Sequence, residues 1–393
     1  MKSPNPIIAL CLEYKISIRG GVSVLVEEII TGLSGTFDFW LVSPDDPDEL
    51  LTHPVFSHLA GHLHFQPSCH PPSKSFRIAA ENLAQRLCAE GVSLVHVHAG
   101  GTFGWGNRWP GGSIPHSCAR HGLKTLWTDH LTEAPSAGYA FRGRPPWISK
   151  LLSPLATAGK TSQMRAVHVE IAVSEHDKSF IERHYPSGKH KLVRIYHSRL
   201  DADLPEPREP RQRTILAVGH IAYRKGQDVL VRAFLEIAPS FPDWNLVIAG
   251  HDGGDGCWQE IERLCANHAA GLRVHLLGAH QHPMELMATA SLFVQPSREE
   301  ALGLALQEAI FLGCPAIGSR VGGIPEVIED GLTGMLVPAN DPLALAGALR
   351  HLMEDEKLRV AMGSAGRASI LGKRMTRRAM IEAHRELYAE SCA

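Results

Sequence analysis

Residues 291–310 read SLFVQPSREEALGLALQEAI, and their order decides how the rest of the chain is parsed. Residues 291–297 form a short apolar run of the length of a buried strand. Three charged residues follow, Arg298, Glu299 and Glu300, and an apolar helical pattern begins between Leu302 and Leu304. A strand that hands over directly to a helix is a βα unit. The first backbone N–H groups of such a helix have no intrahelical partner, so they are open to phosphate or hydroxyl oxygens of a ligand. Glu300 falls in the loop before that helix end, with Glu308 inside the helix about one and a half turns further on. Carboxylates accept hydrogen bonds from hydroxyls, so the two can hold different parts of one elongated ligand. The purely structural account is an acid favoured by the helix dipole followed by an ordinary surface glutamate.

The same alternation runs through the whole chain. Residues 7–12, 39–42, 94–97 and 171–173 are short apolar runs, separated by helical text such as 24–33 and 76–87. Residues 201–213, DADLPEPREPRQR, carry three prolines and mixed charge, which suits an interdomain linker. Beyond it the pattern restarts with apolar runs at 214–218, 246–249, 274–277, 292–294, 316–317 and 335–337, with a helix expected over 227–237. This predicts an α/β chain with two Rossmann-like parallel sheets: residues 1–200, a linker at 201–213, residues 214–372, and a final helix within 373–393.

Bulk composition agrees with two globular domains. The chain has 393 residues, of which 44% are hydrophobic and 20% charged. A formal net charge of -2 gives no general electrostatic reason to bind nucleic acid. The eight cysteines include no C-x-x-C pair and no metal-ligand spacing, which suits buried thiols in a reducing compartment. The N-terminal apolar run is too short for a signal peptide and no apolar stretch approaches the ~20 residues of a membrane span, so a soluble cytoplasmic chain is expected.

Ligands of parallel sheets sit at the C-terminal ends of strands, which directs attention to four further loops. Gly20 and Gly21 precede a helix and let backbone N–H groups approach an anion, although a Gly-Gly turn before a helix is often only structural. In VGHIAYRKGQDVL, residues 218–230, a strand ends and a loop presents His220, Arg224 and Lys225 before a helix, where a lysine can meet phosphate oxygens; a solvated turn reads the same way. An apolar run closes on Thr128, Asp129 and His130. His96 and His98 point to one side of a strand, but no third ligand is evident nearby and no metal is expected.

Taken together these stretches resemble the retaining glycosyltransferases of the GT-B fold, the family 4 or "glycosyl transferases group 1" type. The likeness is strongest over residues 214–337, in ILAVGHIAYRKGQDVL, the Glu300 and Glu308 spacing and the following VGGIPEVIEDGLTG. The resemblance implies two domains facing across a cleft, with the last helix crossing back onto the first. It implies a nucleotide-diphosphate sugar donor: Glu300 at the sugar hydroxyls, backbone amides of Leu302, Gly303 and Leu304 at sugar and phosphate, Glu308 at the ribose, and Lys225 at the diphosphate. Gly20 and Gly21 match the loop near donor and acceptor, and His130 matches the active-site histidine. The acceptor would be a glycan or lipid-linked hydroxyl, with no metal or other cofactor.

Three departures stand out. His220 replaces the family arginine of the phosphate loop and, at an ordinary pKa near ~6.5, would carry only part of a charge at neutral pH. His197 and Ser198 replace the family's Asn-Gly, while Ala301 and Leu302 stand where Gly and Phe are common. A nucleotide-sugar epimerase or phosphorylase of the same plan, and a non-catalytic sugar-nucleotide binder, are the rival readings; neither domain opens with the fingerprint of a dehydrogenase. Residues 140–152, AFRGRPPWISKLL, have a composition suited to peripheral contact with a membrane surface, and equally to an exposed loop and helix start.

Overall fold

Every strand among the described residues pairs in parallel, in keeping with short apolar runs separated by helices. The computed structural model describes residues 5–18, 20–67, 73–102, 111–132, 146–186, 191–201 and 211–393. The chain divides into two units, Met1–His197 with Arg377–Ala393, and Ser198–Thr376.

The first unit holds β1 (Ile7–Leu12), β2 (Asp38–Ser43), β3 (Leu59–His64), β4 (Leu94–Ala99), β5 (Lys124–Asp129), β6 (Val169–Ala172) and β7 (Lys191–Arg194), in the order β3-β2-β1-β4-β5-β6-β7. Its central strands β1 and β4 are buried almost throughout; β1 is apolar on both faces, whereas β4 carries His96 and His98 on one of them. The final helix Arg377–Cys392 belongs to this unit and packs against helix Gly21–Leu33. There a Cβ on Gly32 would lie 2.9 Å from Ile381, so the close approach needs glycine. Arg377 pairs with Glu28 across the same two helices.

The second unit holds β8 (Gln212–Val218), β9 (Asn245–Ala249), β10 (Val274–Gly278), β11 (Ala290–Gln295), β12 (Ala316–Ser319) and β13 (Gly334–Val337), in the order β10-β9-β8-β11-β12-β13. Strand order reverses between the neighbouring strands β8 and β11. A crevice at their C-terminal ends is the expected ligand position of such a sheet.

Three boundaries differ from the sequence reading. Gln212 and Arg213, assigned to the linker, open β8, with Gln212 in register with Ala290. Residues 202–210 of that linker lie outside the described residues. Ser198–Leu200 group with the second unit, which also extends past helix Glu356–Gly372 to Thr376 because Lys373 is tied to the Val327 carbonyl at 3.2 Å.

Candidate functional site

The loops that leave β8 and β11 meet in the second unit. Lys225 ends a 3-10 turn, Tyr223–Lys225, and its Nζ lies 2.7 Å from Glu300 Oε2. The same carboxylate oxygen accepts from Gln295 Nε2 at 3.0 Å and Ser297 Oγ at 3.1 Å. Burial alone would raise the Glu300 pKa; Lys225, Arg224 and the Ser297 hydroxyl outweigh it and hold the carboxyl below its usual range. Burial lowers the Lys225 pKa, with Glu300 opposing.

Glycines make this junction sterically possible. Gly226 is left-handed at φ 71°, and a Cβ there would lie 2.0 Å from the Pro296 carbonyl oxygen. Gly322, at φ 53°, would bring a Cβ within 1.6 Å of the Glu300 carbonyl oxygen, and the N–H of Gly323 donates to the Ala301 carbonyl at 3.0 Å. Arg298 completes the brace: it forks onto Asp228 at 2.7 and 2.8 Å, and its own N–H donates to the Arg224 carbonyl at 2.8 Å. The sequence quotes both the VGG turn and Arg298 without revealing this role, because each acts through a partner far along the chain.

Helix Leu304–Phe311 starts within the expected window, with left-handed Gly303 as its N-cap. The first intrahelical donor is Gln307, bonded to the Gly303 carbonyl at 3.1 Å, so the N–H groups of Leu302, Gly303 and Leu304 precede the helical ladder. Leu302 is a buried apolar side chain, leaving its backbone as the polar feature. Glu308 is also buried, at 4% exposure, and pairs with Arg199, a partner nothing in the local sequence announced. The two glutamates thus have separate cations, Lys225 and Arg199.

His220 corrects the expectation of a part-charged clamp. It stands two residues beyond the end of β8, with its ring 3.9 Å from that of His251, which follows β9 by the same spacing. Desolvation by the surrounding loop, then His251, Lys225 and Arg224, push its pKa down to about 4, so it is neutral at pH 7. The cations of this loop are Lys225 and Arg224.

Gly20, Gly21 and His130 belong to the first unit. Gly20 caps helix Gly21–Leu33, its N–H donating to Ser23 Oγ at 2.8 Å. Its backbone is extended, and an added Cβ would meet nothing nearer than Ser23 Oγ at 3.9 Å, so local strain is not what glycine relieves there. His130 follows β5 and is partly buried; its Nε2 lies 3.1 Å from His98 Nδ1. The rings of His130, His197 and His384 lie close to those of His96 and His98 and to one another. Among the described residues no group of three or more His, Cys, Asp or Glu side chains has the arrangement of a metal site. Behind His130, Asp129 forms a fully buried triad with Lys160, at 2.9 Å, and Glu170, which Lys160 also meets at 2.6 Å.

Comparison with known proteins decides the family. Residues 202–369 match the description "Glycosyl transferases group 1" and residues 19–198 match "Glycosyltransferase Family 4". The chain is a GT-B glycosyltransferase-family protein of the group 1 type. Sucrose-phosphate synthase from Thermosynechococcus elongatus shares the fold of this group 1 chain, with a TM-score of 0.77 at 20% identity over 98% of this chain and 99% of that one. HepE from Anabaena, solved in complex with UDP-glucose, gives 0.73 at 16% identity, over 98% and 99%. N-acetyl-alpha-D-glucosaminyl L-malate synthase from Bacillus anthracis is 40% identical over 147 residues, 37% of each chain. The match to this and similar curated relatives spans less than half of their length. None of the described helices is long and apolar enough to cross a membrane.

Proposed function

We propose that this group 1 protein transfers a glycosyl group from a nucleotide-diphosphate sugar to an acceptor hydroxyl, with retention at the anomeric carbon. The observation that carries the reading is the Lys225–Glu300 pair at 2.7 Å beside the N-terminus of the helix that also bears Glu308. A cation and open N–H groups suit a diphosphate, and carboxylates suit sugar and ribose hydroxyls. The fold shared with HepE, which was solved with UDP-glucose, adds support. In this reading Glu300 and the amides of Leu302, Gly303 and Leu304 orient the sugar, Glu308 holds the ribose, and Lys225 meets the diphosphate. Gly20, Gly21 and His130 serve donor and acceptor from the first unit.

In the transfer step the bond from the anomeric carbon to the phosphate oxygen breaks, its electrons leaving with the diphosphate. The acceptor oxygen bonds to that carbon on the same face, and its proton passes to the leaving phosphate. The protein's part is positioning and electrostatic stabilisation, with neither metal nor cofactor assigned a role. The acceptor is read as a glycan or lipid-linked hydroxyl. Trp147 and Leu151 stand one turn apart on helix Pro146–Ala166 with 65% and 70% of their surface exposed, which suits docking on a membrane surface; flotation with anionic vesicles, lost in W147A/L151A, would test it. Arg142 and Arg144 lie outside the described residues.

The test is binding and slow hydrolysis of UDP-, GDP- and ADP-sugars, with Lys225→Ala and Glu308→Ala as controls. Release of one nucleoside diphosphate, lost in both variants, supports the reading. Free isomerised sugar nucleotide indicates an epimerase, phosphate-dependent release of sugar phosphate a phosphorylase, and binding without turnover even with acceptors a non-catalytic binder.

A further inference from the structure

The first unit buries an unusual run of imidazoles, and their hydrogen bonds constrain where the protons sit. His96, His98 and His384 are 0% exposed and His197 is 3% exposed. His96 is satisfied on both sides, by Tyr388 at 2.7 Å and Thr128 at 2.8 Å. His384 Nδ1 lies 2.9 Å from the Met380 carbonyl, which can only accept, so that nitrogen carries the hydrogen. Its Nε2 is buried and has no partner among the described residues. A bare, unpartnered ring nitrogen is therefore already present in this cluster.

His98 faces the same choice with His130. Strands β4 and β5 are in register here, and the His130 N–H donates to the Ala99 carbonyl at 3.1 Å, which sets the two rings 5.4 Å apart at an interplanar angle of 22°. One hydrogen must lie between His98 Nδ1 and His130 Nε2, which are 3.1 Å apart. His98 Nε2 is buried and has no partner among the described residues. Were His130 the donor, neutral His98 would carry its hydrogen on Nε2, leaving a buried N–H with nothing to donate to. Were His98 the donor, only a lone pair would be left over, and unsatisfied acceptors are tolerated better than orphaned donors. Both rings are neutral in either case: burial first, then the neighbouring imidazoles, push each well below the ordinary histidine range.

We propose that His98 is a positioning residue that fixes His130 as its Nδ1–H tautomer. His130 then offers substrate a hydrogen-bond donor and has no free Nε2 with which to act as a base. This consequence rests on the glycosyl-transfer reading, in which the acceptor's proton goes to the leaving phosphate. The tautomer itself does not depend on that reading.

The decisive measurement is a multiple-bond proton–nitrogen NMR spectrum of histidine-labelled protein at pH 7.5, with the His130 signals assigned by comparison with His130→Asn. The expected result is a pyrrole-type Nδ1 and a pyridine-type Nε2 at His130. Observation of the reverse tautomer in the wild-type protein overturns the proposal whatever the variants do. In His98→Leu the His130 signals should shift toward a tautomer mixture; His98→Asn, whose amide N–H can replace the imidazole donor, should restore them. In turnover assays His98→Leu should lower kcat by ~10-fold or more with little change in donor KM, and the asparagine variant should recover most of the loss. A His98→Leu spectrum identical to wild type also counts against the proposal. Because the spectrum is recorded without substrate, its failure is separate from failure of the glycosyltransferase reading.

Discussion

His220 and Arg199 are the two side chains at which the proposed donor site has its own chemistry. Neutral His220 contributes no fixed charge to the phosphate loop at pH 7. His220→Arg should therefore tighten binding of the cognate nucleotide sugar about tenfold, since a hydrogen bond to a charged group contributes ~1.5–3 kcal/mol. The wild-type protein should bind more tightly as pH falls from 7 toward 5, because a diphosphate favours the protonated ring. Calorimetry showing a flat pH profile and an unchanged Kd in the arginine variant would remove His220 from the site. Arg199→Ala withdraws the guanidinium from a nearly buried Glu308. Breaking such a pair costs roughly 3 kcal/mol, visible as a lower urea midpoint at unchanged slope, and donor binding should weaken with it. An unaltered midpoint would mean that the pair contributes nothing. Lys225 and Glu300 stood out in the sequence because each is a charge beside a helix start. Arg199 did not, because the pair joins residues 109 positions apart and no local pattern encodes such a meeting.

Between residues and units lie the loops that the glycines clasp. Gly322→Ala places a Cβ against the Glu300 carbonyl in a left-handed backbone, so it should destabilise the second unit by at least ~2 kcal/mol and weaken donor binding by displacing Glu300. A variant with wild-type melting and donor affinity would show that the VGG turn does not hold this loop. The central strands were legible in sequence: residues 7–12 and 246–249 are buried runs that apolar continuity alone reveals. β3 and β7 were not, because they lie at sheet edges, are partly exposed, and carry the polar text LAGHLH and KLVR. The helix around 227–237 was readable as helical text after the first strand of the second unit, and nearly its whole length is buried.

For the molecule as a whole, the histidine cluster sets an acid limit. His96, His98 and His197 are held well below the usual 6.5, and His384 at about 4, by burial. The unfolded chain therefore binds more protons than the folded one below pH 6.5, and stability falls as pH drops through that window. Each imidazole held neutral adds to that loss, and the four act together on the first unit. The first unit should unfold cooperatively near pH 5, with uptake of several protons, and His96→Phe or His384→Leu should shift that midpoint downward. A protein still folded at pH 4.5 by near-UV circular dichroism would refute this. Two members of that cluster's surroundings, His384 and Tyr388, come from helix Arg377–Cys392, and they meet strands made from the first hundred residues. On the ribosome, the amino-terminal sheet must therefore wait, with one buried face uncovered, until the entire second unit has been translated.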